Sequence, residues 1–383
     1  MTVQDVALTP VAALAGGSVA TARQPRNSAY FFGPVIDFLG LGGGSILALG
    51  LILLLKPSDG WYNEAAKWAL FLAWFVNHPH FAYSYQIFYG NFRQKAFGTS
   101  LSPQLRARYV FAGIVAPILL TGFFIICVVA KDDETLALAF NAMNFFVGWH
   151  YVKQGYGMII VDSVLKKRFF TAIEKKILLI NAYLVWAASW LAANASLHDA
   201  QFWGLHHYQF AVPAQLLMFG TYLAYGAGIF TAGMLILKAI KGQRPPLNGS
   251  IAYLVSLYLW LWFVRINPFF LLIIPAFHSL QYMVVVWRYR LNKLGDQTAT
   301  GTAAKSPWRH IGFATVAIVL GFIGFWGAPW VLDDAVLYDR SVFGSTLFLF
   351  MFWIFINIHH YFLDNVMWRR ENPDTGKYLF GRT

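Results

Sequence analysis

Apolar runs about 20 residues long recur along this chain, separated by short polar connections. They cover roughly 30–55, 64–90, 109–130, 135–161, 173–195, 212–238, 250–265, 268–288, 309–328 and 341–366. At about 1.5 Å of rise per residue, some 20 helical residues cross a hydrocarbon layer about 30 Å thick. The pattern predicts an all-α, polytopic transmembrane helix bundle of about ten spans. The seventh run is short. Arg265-Ile266-Asn267-Pro268 predicts a tight turn after it, since proline ends or starts a helix. One long kinked helix there would leave nine spans. Residues 1–29 are rich in Ala, Thr and Gly, and no apolar stretch of the signal-peptide kind precedes Tyr30. They read as a disordered cytoplasmic tail, 30–367 as the membrane domain, and 368–383 as a second cytoplasmic tail.

Composition strengthens this picture. Of 383 residues 58% are hydrophobic and 12% charged, against about 25% charged in soluble domains. The single cysteine, Cys127, excludes an internal disulfide framework and a zinc–thiolate site. A net charge of +12 would suit nucleic acid, but no nucleic-acid motif is present. The cations gather instead in alternate connections, such as Arg93, Lys95, Arg106 and Arg108 after the second span. The intervening connections are poor in cations, and two are acidic, Asp132-Asp133-Glu134 and Asp333-Asp334. This alternation predicts both termini on the cytoplasmic side of a multi-pass protein, which in a bacterium means the inner membrane.

Polar residues inside the apolar runs carry the candidate chemistry. His78 and His80 lie on the second span, His150 on the fourth, His278 on the eighth, and His359 and His360 on the tenth. An ionisable side chain in hydrocarbon costs several kcal/mol unless it is paired or ligated. On the predicted topology all four spans run in the same direction. His80, His150, His278 and His359 lie 10 to 16 residues before the first cation of the connection that follows, Arg93, Lys166, Arg288 and Arg369, which sets depths of roughly 15–24 Å. One shared layer is what a site built from four helices requires.

On the tenth span, His360 and Asp364 share a helix face, and Asn357 and Trp353 continue it. His359 points about 100° away. Pro79 sits between His78 and His80 and is expected to kink the span, turning both rings toward one cavity. His150, Lys153 and Gln154 follow helical spacing on one face; Lys153 is expected to pair with Asp364, to hold a substrate carboxylate or to snorkel. Gln281 and Tyr282 fall one turn after His278. The candidate metal ligands are therefore His78, His80, His150, His278, His359, His360 and Asp364, with Lys153, Gln281 and Tyr282 as candidate catalytic groups. Phe81, Tyr85 and Phe146 are candidates to line a tunnel for an apolar ligand. His198, His206 and His207, in an outward connection, and His310, at a span end, read as ordinary surface histidines.

Imidazoles with a carboxylate and no thiolate suit iron, as one or two ions, ahead of copper or zinc. A membrane position suits an apolar small-molecule or lipid substrate, and the inner cations offer a face to an electron donor. In layout the chain resembles the bacterial integral-membrane β-carotene 15,15′-dioxygenases, which implies a histidine-bound iron oxygenase acting on a carotenoid. It is similar, more remotely, to membrane fatty-acid desaturases and hydroxylases. It departs from them in lacking HxxxH and HxxHH boxes: only His78-x-His80 and His359-His360 are close pairs. The residues leave two other classes open, a b-type haem electron-transfer protein and a transporter or proton conductor using a His/Lys153/Asp364 relay.

Overall fold

The protein is described here from a computed structural model covering residues 29–196, 201–206, 210–264, 266–267, 269–302, 304 and 306–380. The described residues are almost entirely helical. The main helices are α1 Pro34–Leu55, α2 Asp59–Ala73, α3 Asn77–Tyr89, α4 Pro103–Ala130, α5 Asp133–Leu165, α6 Ala172–Ser196, α7 Ala214–Ile240, α8 Leu247–Leu259, α9 Phe270–Ala299, α10 Trp308–Ala335, α11 Leu347–Met367 and α12 Pro373–Tyr378. Two short strands, β1 Gln201–Phe202 and β2 Leu205–His206, pair antiparallel. Their turn, Trp203-Gly204, has positive φ at both residues, the geometry of a tight hairpin.

Local chemistry fixes the helix ends. Asp132 caps α5 by accepting the Thr135 amide at 2.9 Å, with Asp133 and Glu134 in the first turn facing the positive end of the helix dipole. The start of α11 is capped from another helix. Buried Asp333 accepts the amides of Phe348 and Leu349 at 2.8 and 3.2 Å, satisfying donors that a helix leaves free.

Helices occupy each of the ten apolar stretches, and among the described residues six are long and apolar enough to cross a membrane: α1, α4, α6, α7, α10 and α11. This is consistent with a multi-pass membrane protein. The second stretch is not one helix. Pro79 has no N–H to offer the carbonyl four residues earlier; the helix breaks at residues 74–76 and restarts at Asn77. A helix ends at Val264 and the next begins at Phe270, where a turn is expected, although Arg265 and Pro268 lie outside the described residues. So do residues 1–28 of the expected N-terminal tail. The C-terminal segment packs back: Asp374 and Lys377 of α12 pair with Lys293 and Asp296 of α9 at 2.9 and 2.7 Å.

One helix is central. In α11, 61% of the apolar window is buried, against 22–28% for the other five. It packs on α3, α4, α5 and α10, while α3 also packs on α9. Close crossings place these helices. A Cβ on Gly321 of α10 would lie 3.0 Å from the backbone of His78, so a larger residue there would push α10 and α3 apart by a few tenths of an ångström.

Candidate metal centre

Four imidazoles converge where α3, α5, α9 and α11 meet. The ring of His360 lies 4.9 Å, centre to centre, from those of both His80 and His150; His278 lies 4.9 Å from His150 and 5.6 Å from His80. Asp364, one turn after His360, joins them. Its Oδ2 is 3.5 Å from His360 Nε2 and 3.9 Å from His150 Nε2. One ligand atom from each of His150, His360 and Asp364 lies within 4.8 Å of the others.

These rings are buried, none more than 6% exposed, so bulk water is not their partner. Yet His80 Nε2, His150 Nε2 and both nitrogens of His278 and of His360 have no hydrogen-bond partner among the described residues. A buried polar atom left without a partner costs about 1–3 kcal/mol. The chain leaves those lone pairs open to a ligand, as it does both nitrogens of His78 outside the cluster.

The surroundings hold the groups in position. His80 Nδ1 hydrogen-bonds the Asn77 carbonyl and Ser279 Oγ, which leaves Nε2 as the nitrogen facing the cluster. Metal-ligating histidines are oriented by just this kind of bond through their other nitrogen. Asp364 Oδ1 accepts from Tyr282 at 2.8 Å and Ser84 at 3.0 Å, and the Tyr282 hydroxyl accepts in turn from Trp368 Nε1. One carboxylate oxygen is thus anchored and the other is turned toward the imidazoles. Two tyrosines clamp rings from the side. Tyr151 stacks on His278 at 4.0 Å and Tyr361 on His150 at 4.5 Å. Phe81 closes over His80 and His360.

Other candidates lie apart from this cluster. The expected kink at Pro79 does not bring both neighbouring histidines into one cavity. Pro79 sits in the first turn of α3, where its missing N–H costs nothing, and the turn stays regular. Residues two apart then diverge by about 200°, so His80 faces the cluster and His78 stacks on Phe325 at 4.5 Å. His359 also points elsewhere, and both its nitrogens are engaged: Nδ1 with the Tyr85 hydroxyl at 2.8 Å, Nε2 with the Ala112 carbonyl at 2.9 Å.

Gln281 is tied down by the Leu41 carbonyl, Ser256 and Gln154. Lys153 sits beside Tyr156 and Tyr183; the ion-pair partners of Asp364 among the described residues are His150 and His360. Tyr282 does reach the site, through Asp364. His198 and His207 lie outside the described residues.

Sequence reasoning did not single out Ser84, Ser279, Tyr151 or Tyr361. Their signal was local: Ser84 follows His80 by four residues, and His150-Tyr151 and His360-Tyr361 are the same dipeptide on two spans.

First-row metals bind imidazole and carboxylate at about 2.0–2.2 Å, so two ligand atoms on one ion lie at most about 4.4 Å apart. Separations of 3.5 and 3.9 Å fit that limit. The donor set of two histidines and one carboxylate, with two further imidazoles alongside, suits a divalent transition metal. No family model, curated protein or solved structure matches this chain.

Proposed function

We propose that this chain is a membrane metalloenzyme, a non-haem iron oxygenase acting on an apolar lipid or isoprenoid substrate. We further propose ten spans with both termini in the cytoplasm, following the alternation of cations between connections. The observation that carries the enzyme reading is the meeting of His150 Nε2, His360 Nε2 and Asp364 Oδ2 in a buried space where neither imidazole nitrogen has a hydrogen-bond partner among the described residues. Two histidines and one carboxylate on one face, leaving other positions open, is the ligand pattern of iron sites that activate oxygen. His80 and His278 would fill further positions or share a second ion.

Bound there, iron would act as a Lewis acid with open positions for oxygen. The chain's own residues do the rest. Tyr282 and Ser84 hold the Asp364 carboxylate at a fixed angle. Tyr151, Tyr361 and Phe81 pack around the imidazoles and exclude water. A haem reading fares worse, because each ring already touches the next edge-on, which leaves no slot for a flat macrocycle.

Metal analysis and a visible spectrum of the purified full chain test the proposal. The expected result is stoichiometric iron without a Soret band, lost in His150→Ala and His360→Ala, with oxygen uptake that depends on added isoprenoid or lipid. A Soret band, or metal-free protein that conducts ions in liposomes, would overturn it.

A further inference from the structure

A second polar feature lies away from the histidines, between the C-terminal part of α3, the distal half of α9 and the start of α10. It is a cavity of about 400 Å³ lined by Arg290, Lys293 and Arg309 together with Gln86, Asn91 and Gln297. Its described lining contains no acidic side chain. Lys293 is answered from behind by Asp374 at 2.9 Å, while neither arginine has an ion-pair partner among the described residues. Arg290 is held over the Phe313 ring at 4.6 Å, and one of its terminal nitrogens donates to the Arg309 carbonyl at 3.4 Å. Its Nε is buried with no hydrogen-bond partner among the described residues.

Two guanidinium groups beside one cavity repel each other unless an anion lies between them. A phosphate carries the charge and the several acceptor oxygens that such donors match, and arginine binds it with paired hydrogen bonds. The apolar surroundings say where that phosphate comes from. Ile87, Phe313 and Val316 form one wall. From Val316 the face of α10 continues outward through exposed Val319, Leu320 and Ile323, a track for acyl chains. Basic pockets between membrane helices take anionic headgroups in this way.

We propose that this cavity binds the phosphate of an anionic glycerophospholipid, with its acyl chains along α10. The site is separate from the histidine cluster and does not depend on what that cluster does.

The test uses the full chain in nanodiscs of phosphatidylcholine doped with phosphatidylglycerol, with bound lipid counted by native mass spectrometry. Wild type is expected to retain phosphatidylglycerol selectively. Arg290→Gln/Arg309→Gln is expected to bind it about thirtyfold more weakly. Lys176→Gln, which removes an exposed cation elsewhere, should bind as wild type does. Unchanged metal content and melting temperature in the double variant would show that the fold is intact. In a parallel arm, inorganic phosphate is added to lipid-free protein in detergent. Arginine-dependent binding of inorganic phosphate without lipid selectivity would overturn the lipid assignment and point to a soluble phosphate. Equal lipid retention by the double variant, or no preference for phosphatidylglycerol in wild type, would overturn the site.

Discussion

Two buried polar regions of this protein are built on opposite plans. Where α5 crosses α8, Asp162 is fully buried and fully served: both oxygens accept from Lys166 at 2.7 and 2.8 Å, and Oδ2 also accepts the Gly249 amide at 2.8 Å. Nearby, Asn181 bonds both Tyr253 and Tyr258. The Asp162 carboxylate and the Asn181 amide are both met by the chain itself. In the histidine cluster the rule reverses. Asp364 has one oxygen anchored and one turned to the rings, and the imidazoles keep nitrogens for which the chain supplies nothing. The first region explains itself as a clamp that holds two helices together. The second is the region on which the proposed metal site rests.

Substitutions should separate the two plans. Asp162→Ala removes the fully buried carboxylate that Lys166 and the Gly249 amide both bond, and breaking a buried pair costs up to about 3–5 kcal/mol. The expected outcome is a large fall in melting temperature or in yield of folded protein, with metal per folded chain unchanged. Metal loss in the surviving folded fraction would erase the distinction. Tyr282→Phe should do the reverse. It removes a hydrogen bond from Asp364 while keeping the ring, and losing such support lowers metal affinity about 10–100-fold. Chelator competition would measure this, and an affinity equal to wild type would count against Tyr282 as a positioning residue. His359→Ala sharpens the comparison within one helix. It deletes two hydrogen bonds, to Tyr85 and the Ala112 carbonyl, at about 1 kcal/mol each, and should leave metal content at the wild-type level while His360→Ala abolishes it.

The smallest effect concerns the outer rim. Asp339 is pulled down to about 2 by its hydrogen bond from Lys131, with a further contribution from Ser341. A depressed carboxylate stabilises the fold above its unfolded value and loses that contribution as pH falls toward 2. Asp339→Asn should therefore change stability slightly at neutral pH and flatten the loss between about pH 4 and 2. The melting temperature as a function of pH reads this directly.

Much of the architecture is written in the apolar runs, because length and hydropathy suffice to place helices. The helices that carry the site are harder to read. In α5 and α9, histidine, lysine and arginine interrupt the hydropathy that marks a span, and Pro79 divides the second apolar stretch in two. The gathering of histidines on four segments was legible, as was the His360/Asp364 face. Which member of each close pair joins the cluster was not. That choice depends on where the helix restarts after residue 76 and on the rotation of α11 against α4, both set by packing among distant segments. Gln281 illustrates the same limit. Its spacing from His278 is right for a shared face, yet its amide is consumed by the Leu41 carbonyl and Ser256, residues 240 and 25 positions away.

X-ray absorption at the iron edge of the full chain tests the central claim most directly. The account predicts a shell of nitrogen and oxygen ligands at about 2.0–2.2 Å. It also predicts outer-shell scattering from at least two imidazoles, with that signal reduced in His360→Ala. Protein that binds no metal, or an iron signal unchanged by loss of His150 and His360, would contradict it.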